Sequence, residues 1–236
     1  MWPLLTKGDT VLLHSDASRT LMKTRMTPVQ IVESLMNAVG IDGTVVFPVF
    51  FFSWCRGRDF DIRELNGETG VLGNTALKMG AVRSGNPVYS FAAFGKYADL
   101  FDVDNGYMLG KGTPFQTLLD LDAKIAAIDV DDNNCMTMYH HVEKMENAKH
   151  RFEKLFSGNY TNGETHVKTY SYFVRCEGVI TDLAPMEKLL WHDGCYEGNR
   201  PFVGDGMRVI WARDLYDMTA AILRANGGEN ILWRRK

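Results

Sequence analysis

Cysteine is scarce in this chain of 236 residues: there are four, at Cys55, Cys135, Cys176 and Cys195. None forms a Cys-x-x-Cys pair and the spacings fit no zinc site, so free, mostly buried thiols are expected rather than a disulfide or metal framework. A dominant charge is missing too. The 26 Lys and Arg nearly balance the 29 Asp and Glu, leaving -3. A nucleic-acid binder would show a basic field, and this chain does not. No apolar run reaches the ~18 residues that suggest a membrane span. The opening Met-Trp-Pro-Leu-Leu-Thr-Lys-Gly-Asp has no basic segment followed by an apolar one, so no signal peptide is read. The expectation is a cytoplasmic protein that engages neither nucleic acid nor membrane. Repeats, low-complexity tracts and linkers are also absent, so a single domain is expected over residues 1–236.

What is present is a large apolar fraction, 45%, arranged with alternating periods. Thr10 to Leu13 reads as a short strand from its β-branched and aliphatic content. Thr27-Pro28 opens a helix, with Thr as cap and Pro at the first position. Val29, Val32, Leu35, Met36 and Val39 then keep a helical period, and Gly40 ends it. Thr44 to Phe52 is a strongly apolar run that reads as a central strand, with Pro48 marking a bulge or an early end to pairing. Strand, helix and strand within about 45 residues give a βαβ pattern and an α/β class. Further strands are expected at Val88–Phe94, Lys124–Ile128, His166–Arg175 and Met207–Ala212. Further helices are expected at Asn74–Met79, Phe115–Asp120, Pro185–Trp191 and Asp214–Ala225. Lys144 to Lys154 reads as a helical continuation. Residues 53–74 read as a long loop with little periodicity, of the kind that often faces a substrate.

One stretch carries a chemical pattern: Asp129-Val-Asp-Asp-Asn-Asn-Cys-Met-Thr-Met-Tyr-His-His-Val-Glu143. It follows a strand, turns through polar residues, with Asn133 or Asn134 as a candidate cap, and enters a helix. His140 and Glu143 are three apart and share one helical face. A carboxylate beside an imidazole fixes its tautomer and favours its protonated form, which suits a general base. The bland alternative is a surface ion pair, the better reading for an isolated His-x-x-Glu. In the long loop, Trp54, Asp61 and Glu68 are the types that would stack on a sugar face and pair with its ammonium groups. His14-Ser15, after the first strand, and Gly110-Lys111-Gly112-Thr113-Pro114, before a helix, present small residues and backbone N–H groups suited to an anion.

Taken in order, these segments resemble the aminoglycoside 3-N-acetyltransferase family. The resemblance rests on Val11-Leu12-Leu13-His14-Ser15-Asp16, on Asp42-Gly43-Thr44-Val45-Val46-Phe47-Pro48, and on Arg83-Ser84-Gly85-Asn86-Pro87-Val88-Tyr89-Ser90. The glycine turn at 110–114 and Thr137-x-x-His140-x-x-Glu143 complete the set, which covers roughly residues 8 to 150. Three departures fall in regions that would face ligands. Asp16 stands for the second Ser of His-Ser-Ser, Asn86 for a His, and Asp129 for a Gly after the central strand. They bear on the acceptor more than on the fold.

The resemblance implies a single-domain, layered α/β/α architecture around a central mixed, largely parallel sheet. It implies acetyl-CoA as acyl-donor co-substrate, no metal, and direct attack of an acceptor amine on the thioester. His140 would be the base, oriented and made more basic by Glu143, with Thr137 bonding the thioester oxygen or the departing sulfur. His14, Ser15, Arg83, Ser84, Gly112 and Thr113 would hold the coenzyme, and Trp54, Asp61 and Glu68 the amino sugar. His141 points away and would pack. The acceptor is either a nucleotide-linked amino sugar, favoured by the modest charge and the departures, or an aminoglycoside antibiotic, which would make the protein a resistance factor. Arg56, Arg58 and Arg63 are candidates for a nucleotide's phosphates. A homodimer is left open. Two competing classes are a metal-dependent hydrolase, with His140, Glu143 and His150 or His192 as ligands, and a non-catalytic sugar- or CoA-binding protein on the same scaffold.

Overall fold

The β-branched run that opens the chain lies at the centre of a seven-stranded sheet. A computed structural model describes residues 2–236 and contains, in chain order, β1 (Thr10–Ser15), α1 (Ala17–Thr24), α2 (Pro28–Val39), β2 (Thr44–Pro48), β3 (Phe60–Asp61), α3 (Val71–Lys78), β4 (Val82–Arg83), β5 (Phe91–Gly95), α4 (Pro114–Asp120) and β6 (Lys124–Ile128). There follow α5 (Asp132–Cys135), α6 (Met138–Met145), β7 (Arg151–Asn162), β8 (Glu164–Arg175), β9 (Val179–Thr181), α7 (Ala184–His192), β10 (Glu197–Gly198), β11 (Met207–Trp211), α8 (Ala212–Asn226) and β12 (Trp233–Arg235).

The main sheet runs β10-β11-β6-β1-β2-β5-β4. It is mixed, as expected, but parallel pairing is confined to its centre: β1 runs parallel to both β2 and β6. The four outer pairings are antiparallel, so "largely parallel" describes only the middle. Two of these, β4–β5 and β10–β11, follow from short connections that do not carry the crossover a parallel return needs.

Helices cover both faces of the sheet. Leu35 of α2 and Leu72, Ala76 and Leu77 of α3 pack with Val11, Leu13, Val45 and Phe47 on one side. Phe115 of α4, Tyr139 and Val142 of α6, and Leu215 and Ala220 of α8 pack with Leu12, Val46 and Ile125 on the other. Alternate residues of β1 and β2 thus face opposite cores, which is the period of a strand. α2 begins as its sequence directs: Thr27 and Gln30 form a reciprocal capping box and Pro28 sits in the first turn. Its core face is Ile31, Val32, Leu35 and Val39, whereas Val29 is exposed.

The apolar run from Thr44 ends as a strand at Pro48, the early end to pairing that the proline predicts. One segment differs from the sequence expectation. The charged stretch 144–154 is helical only to Met145. Asn147 adopts a left-handed conformation (φ 49), and β7 begins at Arg151. β7 and β8 form a twelve-pair antiparallel hairpin with β3 at its side. The hairpin rises from the sheet at the carboxyl ends of β1, β2 and β6, and the candidate site lies against it.

Candidate functional site

Open α/β sheets place ligands outside the carboxyl ends of their parallel strands. Here a cleft of about 1160 Å³ occupies that position. Drug-sized ligand pockets span ~300–1000 Å³, so the cleft has room for more than one small molecule. Its floor is the end of β1 (Leu13, His14, Ser15) and of β2 (Phe47, Pro48). One wall is the turn after β6, from Val130 to Thr137, together with His140 of α6. The other comprises Arg151 and Tyr172 to Gly178 of the hairpin and its exit. Thr69, Gly70 and Gly73 close a third side. Gly73 is required there: a Cβ at this position would lie 2.4 Å from the Pro48 carbonyl oxygen.

His140 and Glu143 meet as their spacing predicts. His140 Nδ1 is 2.8 Å from Glu143 Oε2. Glu143 is not on a surface, however: it is 1% exposed. The hairpin supplies two more partners, His150 Nε2 at 2.7 Å from Oε1 and Arg151 Nε at 2.6 Å from Oε2. The Arg151 contact is an ion pair rather than an aligned hydrogen bond. Burial alone would raise the pKa of Glu143. Hydrogen bonds from His140 and His150 and the charge of Arg151 overcome it and hold the carboxyl well below its usual range, so it is ionised.

His140 itself is half-buried, with 22% of its side chain exposed, on the wall of the cleft. On sequence alone, Glu143 is expected to make it more basic. The balance goes the other way: burial and the nearby Arg151 guanidinium push its pKa below 6.5, against the opposing pull of Glu143. The imidazole is therefore neutral at pH 7. Its Nδ1 has two competing neighbours, since Arg151 Nη2 is also 2.8 Å away. If Nδ1 carries the proton, it donates to Glu143 and leaves a lone pair on Nε2. If Nδ1 accepts from Arg151, the proton is on Nε2 and no base remains. A charged acceptor at Nδ1 favours the first arrangement.

Thr137 also lines the cleft; its hydroxyl donates to the Cys135 carbonyl at 3.2 Å. His14 is buried on the cleft floor, with its Nε2 unpartnered and its pKa lowered to about 3 by burial and by Arg208. Ser15 lies beside it. His141 points away from the cleft, stacked on Phe115, and accepts from the Gly110 N–H.

Other expected site residues lie elsewhere. Arg83 is buried and donates to the Glu64 and Asn66 carbonyls and to Ser90, so it fastens the long loop. Ser84 is buried and accepts from the Phe91 N–H. Gly112 (φ +69) and Thr113, which donates to the Gly110 carbonyl, shape the turn into α4 and do not line the cleft. Trp54 is 1% exposed, edge-on to Tyr170 and bonded to the Asn159 carbonyl, so it is a core residue. Asp61 is forked to Arg63. Glu68 accepts from the Ser53 N–H and lies outside the cleft, although the neighbouring Thr69 and Gly70 line it. The long loop reaches the cleft through its small residues and not through its carboxylates. His150 does join His140 and Glu143, but Arg151 puts a guanidinium where a metal cation would have to sit. His192 is exposed and pairs with Asp193.

A second cluster has no local signal in the sequence. Asp132 is buried and accepts from Arg208 Nη2 (2.8 Å), Tyr139 (2.7 Å) and Tyr196 (2.8 Å). Arg208 also donates to the Val130 carbonyl at 2.6 Å. The cluster fixes the turn that presents Thr137 and His140. The helix cap there is Asp131, which accepts from the Asn134 N–H. Asn133 instead accepts from the Leu183 N–H. Asp129 adopts a left-handed conformation (φ 54), with its buried carboxylate on Lys23 and on the Phe202 N–H. That backbone geometry is the one a glycine takes most easily.

Among the described residues, no helix is long and apolar enough to cross a membrane. A family model described as aminoglycoside 3-N-acetyltransferase matches residues 12–224. Among solved structures, the chain is similar to the aminoglycoside acetyltransferase AAC(3)-IIb, at 17% identity and a TM-score of 0.80 over 94% of this chain and 93% of that one. It is similar to AAC-IIIb, solved as a binary complex with CoASH, at 20% identity and 0.79 over 94% and 91%. It is also similar to AAC-VIa, solved with sisomicin bound, at 19% identity and 0.77 over 94% and 93%.

Proposed function

Because the chain belongs to the aminoglycoside 3-N-acetyltransferase family, a family of CoA-dependent N-acetyltransferases, we propose that its cleft brings acetyl-CoA to an amine of an amino-sugar acceptor, with His140 as the general base. The acceptor is a nucleotide-linked amino sugar or an aminoglycoside. The observation that carries this reading is the His140 ring on the cleft wall, with Nδ1 2.8 Å from the buried Glu143 carboxylate.

An ammonium has no lone pair, so the acceptor nitrogen must lose a proton to attack a thioester. With Nδ1–H held by Glu143, the lone pair on Nε2 takes that proton. The new C–N bond forms as the carbonyl becomes a tetrahedral oxyanion. Its collapse breaks the C–S bond and releases the CoA thiolate while the now-cationic nitrogen sheds its second proton; of the two protons lost from the ammonium, one passes through Nε2 to sulfur and the other to solvent. Thr137 is the candidate donor to the oxyanion or the sulfur, after its hydroxyl turns from the Cys135 carbonyl. His14 and Ser15, on the floor, are the candidate contacts for the coenzyme. The sequence candidates Arg83, Ser84, Gly112 and Thr113 serve the loop and the α4 turn instead. No covalent enzyme intermediate is needed, since holding donor and amine together already lowers the barrier by several kcal/mol, up to ~7–11.

The test is His140→Ala, assayed by thiol release from acetyl-CoA with amino-sugar acceptors of both classes. A fall in kcat of ~10²–10⁴ is expected, with CoA affinity by calorimetry within about twofold of wild type. Unchanged turnover would remove His140 as the base.

A further inference from the structure

The cleft wall beside His140 carries a charge that the protein leaves unanswered. Arg151 and Arg175 stand directly opposite one another in the hairpin ladder, and both line the cleft. Like charges facing each other across a ladder repel. Arg151 is compensated by Glu143 at 2.6 Å. Arg175 has no ion pair among the described residues, and its polar contact is a long 3.5 Å approach to the Thr181 hydroxyl.

Negative charge in the cleft is correspondingly scarce. Two carboxylates line it, Asp132 and Glu177. Asp132 is buried and already holds Arg208, Tyr139 and Tyr196, so Glu177 alone is free. The loop carboxylates that the sequence offered for ammonium groups, Asp61 and Glu68, are bound within their own loop. Much of the remaining lining is apolar, including Phe47, Phe50, Phe52 and Leu72. A polyamine in this cleft would meet one free carboxylate and one free guanidinium, and most of its ammonium groups would be desolvated without a partner.

We propose that the acceptor is an amine that also bears an anionic group, a phosphate or a carboxylate, and that Arg175 receives that group beside the reaction centre. A guanidinium forks onto such oxyanions with two parallel hydrogen bonds. This inference rests on the reading of the cleft as an N-acetyltransferase site and narrows its acceptor to an anionic amino sugar.

The experiment compares glucosamine, glucosamine 1-phosphate, an amino-uronic acid and a deoxystreptamine aminoglycoside as acceptors with acetyl-CoA, for wild type, Arg175→Met and Arg175→Lys. Wild type is expected to favour an anionic sugar over glucosamine by roughly 10- to 100-fold in kcat/KM, the range of one charge-assisted hydrogen-bonded contact. Arg175→Met is expected to collapse that ratio toward one by raising KM for the anionic acceptor. Arg175→Lys, which keeps the charge but not the fork, is expected to retain part of it. Taking the ratio cancels any effect of Arg175 on the base, because both acceptors share His140. Coenzyme A is the other source of phosphate. If Arg175→Met raises KM for acetyl-CoA and leaves the acceptor ratio intact, the guanidinium serves the coenzyme and the proposal is overturned. It is equally overturned if wild type shows no anionic preference or if the aminoglycoside is the best acceptor. These failures are distinct from failure of the base, which His140→Ala reports with any acceptor that turns over.

Discussion

Glu143→Gln separates the two roles that the geometry gives this carboxylate. Glu143 is 1% exposed and is held by His140, His150 and Arg151 at 2.8, 2.7 and 2.6 Å. The amide fills nearly the same volume but removes the charge, and the buried Arg151 guanidinium then has no counter-ion. Breaking a buried pair on one side costs ~3–5 kcal/mol. In a domain of this size each kcal/mol moves Tm by ~2–4 °C, so a fall of about 6–20 °C is expected. The catalytic loss has a separate origin. Without the anion, His140 Nδ1 accepts from Arg151 Nη2 or from the new amide, the proton moves to Nε2, and the lone pair facing the cleft is gone. Wrong-tautomer losses of this kind reach ~10⁴ in kcat. The assay pairs thermal unfolding with thiol release. Adding Arg151→Met to the Gln variant should recover stability, because the orphaned charge goes, while activity stays low. A Glu143→Gln protein that melts within about 3 °C of wild type and keeps kcat/KM within tenfold would refute both parts of the reasoning.

Two other outcomes follow from groups away from the reacting atoms. Arg208→Met leaves the Asp132 carboxylate buried with only tyrosine donors, and should lower the unfolding free energy by ~3–5 kcal/mol in urea titrations; a loss below about 1 kcal/mol would show that the turn after β6 does not depend on this pair. His141 titrates at about 4 in the folded chain against 6.5 ordinarily, chiefly because it is buried. Between those values the unfolded chain binds the extra proton, so this group's stability is intact above pH 6.5 and is lost as pH falls toward 4, by about 3 kcal/mol in all. His141→Phe should flatten that slope, and an unaltered slope between pH 4 and 6.5 would contradict it.

The pairing of His140 with Glu143 was legible because it depends on helix geometry alone, and three residues bring two side chains to one face whatever the rest of the chain does. The strands at Thr10, Lys124 and Met207 and the capped start of α2 were legible for the same reason: period and cap are local. What was not legible is long-range. His150 was offered only as a metal ligand, and nothing near Glu143 in sequence announces Arg151, because the segment carrying both reads as a charged helical continuation until Asn147 turns left-handed. Asp132 looked like a turn residue, since Arg208 and Tyr196 reach it from more than sixty positions away. Composition misled in the long loop. Trp54, Asp61 and Glu68 are sugar-binding types, but tertiary packing turned the indole into the core and tied both acids to loop neighbours. Arg83 resembled a phosphate ligand and is instead a clamp on loop carbonyls.

The same contacts explain why the hairpin belongs to the site rather than to its surroundings. β7 and β8 are mostly exposed and could not be fixed by burial alone. Their attachment is apolar at Tyr160, Tyr170 and Phe173, which join the core, and polar beside the cleft: His150 and Arg151 on Glu143, with Arg151 also donating to the Phe173 carbonyl of β8. One carboxylate therefore orients His140 on α6 and helps to anchor the strand pair that forms the opposite wall. A shift of the hairpin changes the distance from Arg151 to Glu143, and with it the competition for Nδ1 of His140. The position of the hairpin and the setting of the His140 ring are thus linked through a single buried charge.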